Sequence, residues 1–283
     1  MNKFVAAAAF AALLMGAGAA FGAEWTEYEN SLAGGVLQIR LESRAQKSHQ
    51  AALDWLAQKR VEFFSSIKEG QVCDEARLAY ENLFVVEQYH YMWELDATAK
   101  ATDKFILDQF QKTAAWNQDH PVDSRNEWYS LSAYELINAA MPLMKYSKKI
   151  TFGLEEKKVY DSLIAAKSGK GLLYLNAGLW YAFAPAIGGG SDSKAKEYFL
   201  FAAQNGPSDF EKFFGWVYLS QMDFRKGDLD ACLKLLDKAD ALLPANVYTD
   251  FVRRVNKAGC DIFEYADDKD KVMSKVNKFY GKK

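Results

Sequence analysis

The feature that most constrains this chain is an internal repeat. Shifting the sequence by 37 positions carries Leu179 onto Trp216, Ala182 onto Leu219, Gly190 onto Gly227 and Ala195 onto Cys232. The same shift carries Phe199 onto Leu236, Ala202 onto Ala239 and Pro207 onto Pro244. Apart from Ala182 on Leu219, small residues match small ones and bulky match bulky, and a proline closes each copy, which marks a duplicated supersecondary unit. Within a copy, a large apolar residue on one segment lies sixteen positions before a small residue on the next. That spacing lets two antiparallel helices approach at the small side chains while the bulky ones fill the gaps. Proline then ends the pair.

The rest of the chain fits the same class. Prolines are few, at 121, 142, 185, 207 and 244, and the stretches between them carry apolar residues at helical rather than alternating spacing. The pattern predicts an all-α chain of helical hairpins, a solenoid or bundle, with no β-sheet. A helix is expected over 42–68, carrying Leu41, Trp55, Leu56, Val61, Phe63 and Ile67 on one stripe and closed by Gly70. A second begins at an Asp74 cap and runs past Leu83, Val86, Tyr89 and Trp93, and a third covers about 97–116. The polar, proline-bearing stretch 117–125 is the expected boundary between an N-terminal helical region (24–120) and the repeat region (121–283). Ser124 with Glu127 reads as a capping box for the next helix, which reaches Pro142, and a further helix is expected over 153–167. The charged tail carries Val272, Met273, Val276 and Phe279 at helical spacing and reads as a helix capping the last repeat.

In Trp216-Val217-Tyr218-Leu219, Gly227-Asp228-Leu229-Asp230-Ala231-Cys232, Leu236, Ala239 and Pro244, the spacing resembles the tetratricopeptide repeat. The three positions beyond that repeat's usual length fall between Pro207 and Trp216, where Ser208 and Glu211 form another capping box. The loop from Pro185 through Gly188-Gly189-Gly190-Ser191-Asp192 to Tyr198-Phe199 also resembles that of the TRAP-transporter-associated tetratricopeptide proteins, the T component. Over residues 170–260 that resemblance implies a periplasmic helical protein that partners a solute-binding protein and surrounds a cavity suited to an apolar ligand. The glycines are read as a turn. A phosphate cradle calls for a preceding strand and a following Lys-Ser or Lys-Thr, whereas Ser191-Asp192 places a negative charge there.

Destination follows from the first residues. Lys3, the Ala- and Leu-rich run Phe4–Ala17 and the small residues up to Ala23 read as a secretory signal peptide over 1–23. No later apolar run is long enough to span a bilayer, so a periplasmic or secreted product is expected. A formal net charge of −2 excludes the basic field that backbone-driven nucleic-acid binding needs. The three cysteines are read as small buried hydrophobes, with a Cys232–Cys260 disulfide as the alternative.

No catalytic constellation stands out. Glu87 and His90 have the spacing of two metal ligands on one helical face, with Glu94 a turn further on, but His49 and His120 lack the matching carboxylate. There is no His-Glu-x-x-His, no Gly-x-Ser-x-Gly and no cysteine beside an evident base. A non-enzymatic binding protein without cofactor or metal is therefore expected. A bundle enzyme around Glu87 and His90, or a purely structural envelope protein that self-assembles into homo-oligomers, are the alternatives. The aromatic residues of the two first helices point to a ring-lined groove for a partner protein or an apolar ligand, with Asn176, Trp180, Tyr181 and Tyr218 as its candidate residues.

Overall fold

The structure, a computed structural model, describes residues 22, 24–169 and 172–281. The leader expected over 1–23 lies outside the described residues save for Gly22. The described residues form an all-α architecture without a strand. In chain order the helices are α1 (Glu27–Ser43), α2 (His49–Ser66), α3 (Asp74–Leu95), α4 (Lys100–Asp119), α5 (Glu127–Ala140), α6 (Tyr146–Ala165) and α7 (Leu172–Phe183). They continue as α8 (Asp192–Asn205), α9 (Asp209–Arg225), α10 (Leu229–Leu242), α11 (Val247–Lys257), α12 (Ile262–Asp267) and α13 (Lys269–Phe279).

The duplicated unit is visible in the helix boundaries. The start of α7 maps onto the start of α9, and both ends of α8 map onto both ends of α10, all at the 37-residue offset. The two glycine turns differ by one position. Gly227 ends the second hairpin's first helix at φ +80°, but in the first copy Gly189 rather than Gly190 takes the left-handed conformation, at φ +101°. Pro185 stops α7 early and a single 3-10 turn over Ala186–Gly188 fills the gap, which displaces the positive-φ position. Ser191 and Asp228 then cap α8 and α10, and Ser208 with Glu211 forms the expected capping box of α9.

Outside the repeat the boundaries shift where local capping overrides periodicity. The helix expected over 42–68 is α2 alone and begins later, at His49: α1 ends at Ser43, a turn follows, and Ser48 caps α2. Val61, placed on the buried stripe by spacing, is exposed. Asp74 is not the cap of α3; the Cys73 sulfur accepts from the Ala76 amide. Asn126, not Ser124, caps α5, because Ser124 is held in a 3-10 turn. α6 begins at Tyr146, and Gly153 lies inside it.

Helix α9 is the hub, packed against α8, α10, α1 and α7. Its Phe213 and Val217 are fully buried, each removing apolar surface from water for roughly 1.5–3 kcal/mol. The main hydrophobic core takes residues from both sides of 120, from Trp25 and Phe84 to Phe213 and Phe263, so the two regions share one core. The terminal helix α13 buries Val272 and Val276 against Val255 and Cys260. Lys269 at its start donates to the carbonyls of Trp93 and Glu94, tying the chain's end to the end of α3. All three cysteines are free, so the Cys232–Cys260 alternative is not realised. Cys232 and Cys260 are buried and Cys73 is exposed, contrary to its reading as a buried hydrophobe.

Candidate functional site

Helices α1, α2, α3, α5, α7, α9, α11 and α12 line a cavity of about 320 Å³. Its charged part is built by α1, whose spacing places Ala33, Val36, Leu37 and Arg40 on one inward face, with Arg44 continuing that line as the residue that ends the helix. Ala33, Val36 and Leu37 are core residues, and the same stripe carries both guanidinium groups inward. Arg40 is 2% exposed. Its Nε donates to Glu87 Oε2 at 3.1 Å, and its two terminal nitrogens donate to Glu135 at 3.0 and 2.7 Å. Arg44 pairs with the other Glu87 oxygen. Its guanidinium lies over the rings of Tyr248, Tyr91 and Phe214 at 4.9, 5.1 and 5.4 Å.

Two arginines and two carboxylates thus neutralise one another inside the protein, as buried charges must. Burial works against the ionised form of Glu87, but Arg44 and Arg40 outweigh it and hold its pKa below the ordinary carboxylate value. Burial likewise opposes the charge of Arg44, and Glu87 more than offsets it. Burial pushes Tyr91 and Tyr248 up to about 12, so both phenols stay protonated. His90 lines the same space; burial and the charges of Arg44 and Arg40 lower its pKa against the pull of Glu87 and Glu135. Its ring remains accessible because it faces the cavity, while the dense surrounding protein desolvates it.

Leu172, Leu175, Leu179 and Phe251 add apolar wall, and Phe263 stacks against Phe199 and meets Phe183 edge-on. Asn176 is 6% exposed and its Nδ2 has no hydrogen-bond partner among the described residues. Arg44 Nε is likewise without a partner.

Of the four groove candidates, the structure brings Asn176 and Tyr218 into this cavity and leaves Trp180 and Tyr181 outside it. Trp180 Nε1 donates to the Gly153 carbonyl at 2.8 Å, and the Tyr181 hydroxyl donates to Asp161 at 3.2 Å, so both rings fasten α6 to α7. Helical period puts Tyr181 on a different face from Asn176, but Trp180, four positions on, shares that face, and its ring is drawn to α6 by the bond to Gly153. Of the suspected metal pair, Glu87 has both oxygens engaged by arginines. Among the described residues, no group of three His, Cys, Asp or Glu could hold a metal ion. Sequence reasoning missed Arg40, Arg44, Glu135 and Tyr248. The signal was present for the arginines, since Arg40 interrupts an apolar stripe.

No family model matches the chain. Over 89 residues it is 35% identical to the DNA repair protein RecO of Oceanobacillus iheyensis, a match covering 30% of this chain and 34% of that protein. The chain therefore matches about a third of that relative's length, which leaves its family open. No helix among the described residues is long and apolar enough to cross a membrane.

Behind the cavity wall, Asn138 donates to Glu156 Oε1 at 2.6 Å, and the Tyr160 hydroxyl donates to the same oxygen. Burial raises Glu156 from 4.5 to about 7 despite both bonds. A carboxyl raised in the fold has no effect below pH 4.5, loses stability for the protein as pH climbs from 4.5 to 7, and levels off above. At ~1.4 kcal/mol per pH unit the ceiling is roughly 3 kcal/mol, and relaxation around the charge reduces it. Glu156→Gln, which keeps the accepting oxygen, is expected to gain about 1–2 kcal/mol at pH 8 and almost nothing at pH 4. Urea denaturation at both pH values checks this; equal effects at both would contradict it.

Proposed function

We propose that this chain is a secreted, tetratricopeptide-like binding protein that encloses a small, largely apolar ligand. The cavity carries the reading: about 320 Å³, walled by leucines and aromatic rings, and surrounded by helices of a single core. That volume sits at the lower end of the ~300–1,000 Å³ typical of small-molecule sites. The partial likeness to RecO supplies no counter-reading, because it covers 30% of the chain and the net charge is −2.

Titration of the full chain with the apolar fluorophore 1-N-phenylnaphthylamine tests the proposal. One saturable site per chain is expected. Leu175→Trp, which replaces an isobutyl group of the cavity wall with a bulkier indole, is expected to abolish it while a cooperative thermal transition persists. Absence of saturable binding to the wild type counts against the reading.

A second arm, an accessory role beside a periplasmic solute-binding protein, rests on the resemblance of the glycine loop. It is favoured by Ile187, which stands fully exposed at the tip of that loop. Co-purification of a solute-binding protein with the wild type, lost in Ile187→Asp, is the expected result.

A further inference from the structure

We infer that the ligand of this cavity is a monocarboxylate with an apolar tail, its head group held by Arg44 and Asn176. The inference rests on the ligand-binding reading above and adds the chemistry of the head.

The argument starts from hydrogen-bond accounting. Among the described residues lining the cavity, two buried side-chain atoms lack a partner, Arg44 Nε and Asn176 Nδ2. Both are N–H donors, and Arg has no acceptor to offer. A buried polar group left without a partner carries its full desolvation cost, so native structures rarely keep one without reason. Because both of these buried, unpartnered atoms are donors, the site is complementary to an accepting head group, and a carboxylate accepts through two oxygens.

Charge narrows the class. Arg40 is held on one side by Glu87 and on the other by the two oxygens of Glu135, so it has nothing left to give. Arg44 shares Glu87 and otherwise meets ring faces, so it is the less completely neutralised of the two. The two arginines and two carboxylates sum to zero, so what Arg44 offers a head group is its unpartnered Nε–H beside a guanidinium shared with Glu87, which suits one negative charge at most. The double charge of a phosphate would find no second cation among these residues. A cationic head fits worse, because the aromatic faces that would receive it are already occupied by the Arg44 guanidinium. The tail is fixed by the wall: Leu172, Leu175, Leu179, Phe251 and Phe263 leave it no polar partner and match an alkyl or aryl chain.

Isothermal titration of the full chain with octanoate, 1-octanol and octylamine separates the possibilities. These share one tail and differ in head charge and hydrogen-bonding character. At pH 7.5 octanoate is expected to bind one per chain and at least ten-fold more tightly than octanol, with octylamine weakest. Asn176→Leu removes a donor that has no partner, so it is expected to raise the melting temperature while cutting the preference for octanoate over octanol about ten-fold. A residue with a merely structural role would not show stability and acid preference moving in opposite directions. Equal binding of octanol, preferred binding of octylamine, or an unchanged preference in Asn176→Leu overturns the carboxylate assignment and leaves the cavity reading in place. Failure of all three to bind overturns both.

Discussion

Glu87→Ala is expected to destabilise the protein by about 3–5 kcal/mol, the range seen when one member of a buried ion pair is deleted. Glu87 is fully buried and touches both arginines. Arg40 keeps its two bonds to Glu135 after the substitution, but Arg44 keeps no anion among its hydrogen-bond partners. Its remaining neighbours are aromatic faces, worth roughly 1–2 kcal/mol each when desolvated, which does not replace a buried carboxylate. The double variant Glu87→Ala/Arg44→Met is expected to recover a large part of the loss, because it removes the stranded charge together with its partner. Urea unfolding of the wild type, both single variants and the double variant measures the coupling. A loss below about 1 kcal/mol for Glu87→Ala would show that water or a rearranged Arg44 neutralises the site without it.

How much of this was legible beforehand depends on which rule decided each residue. The second hairpin and its copy were readable because small and bulky residues recur at one offset, and helices α8 and α10 obey that offset at both ends. Helix α1 was not read, since Gly34 and Gly35 dilute its helical signal; both point into open space, where glycine costs propensity but harms no packing. Missing α1 meant missing Arg40 and Arg44. Glu87 and His90 were singled out for the right position and the wrong partner. Spacing on one helix reports what faces the same way, but what lies opposite is decided by tertiary packing of α1 and α5 across from α3. Trp180 and Tyr181 were assigned to the groove because aromatic density marks importance without marking direction. Their bonds to Gly153 and Asp161 depend on where α6 docks, which no local pattern encodes.

A pair of glycines absent from the sequence reading gives the sharpest test of the hairpin packing. Gly178 and Gly215 are related by the same 37-residue offset, and both sit in first helices where α8 passes. A Cβ on Gly178 would run into the buried ring of Phe199. One on Gly215 would lie 2.5 Å from Ala203 N, 2.8 Å from Ala203 Cα and 2.9 Å from Phe199 O. The first obstacle is a side chain and the second is backbone, so α8 and α9 must separate to admit a methyl group. Helix propensity alone predicts that Gly→Ala gains ~1 kcal/mol. Overpacking typically costs ~1–3 kcal/mol, and more where the atoms met cannot yield. Gly215→Ala is therefore expected to lose about 3 kcal/mol net, and Gly178→Ala less, because a ring can tilt where backbone cannot. Gly34→Ala and Gly35→Ala in α1, with nothing within 4 Å of the added atom, are expected to gain about 0.5–1 kcal/mol each. One substitution type in one fold thus carries opposite signs at positions distinguished only by whether another helix crosses there. Thermal and urea unfolding of the four variants would reveal a shared sign if α8 did not pass this closely against both of its neighbours.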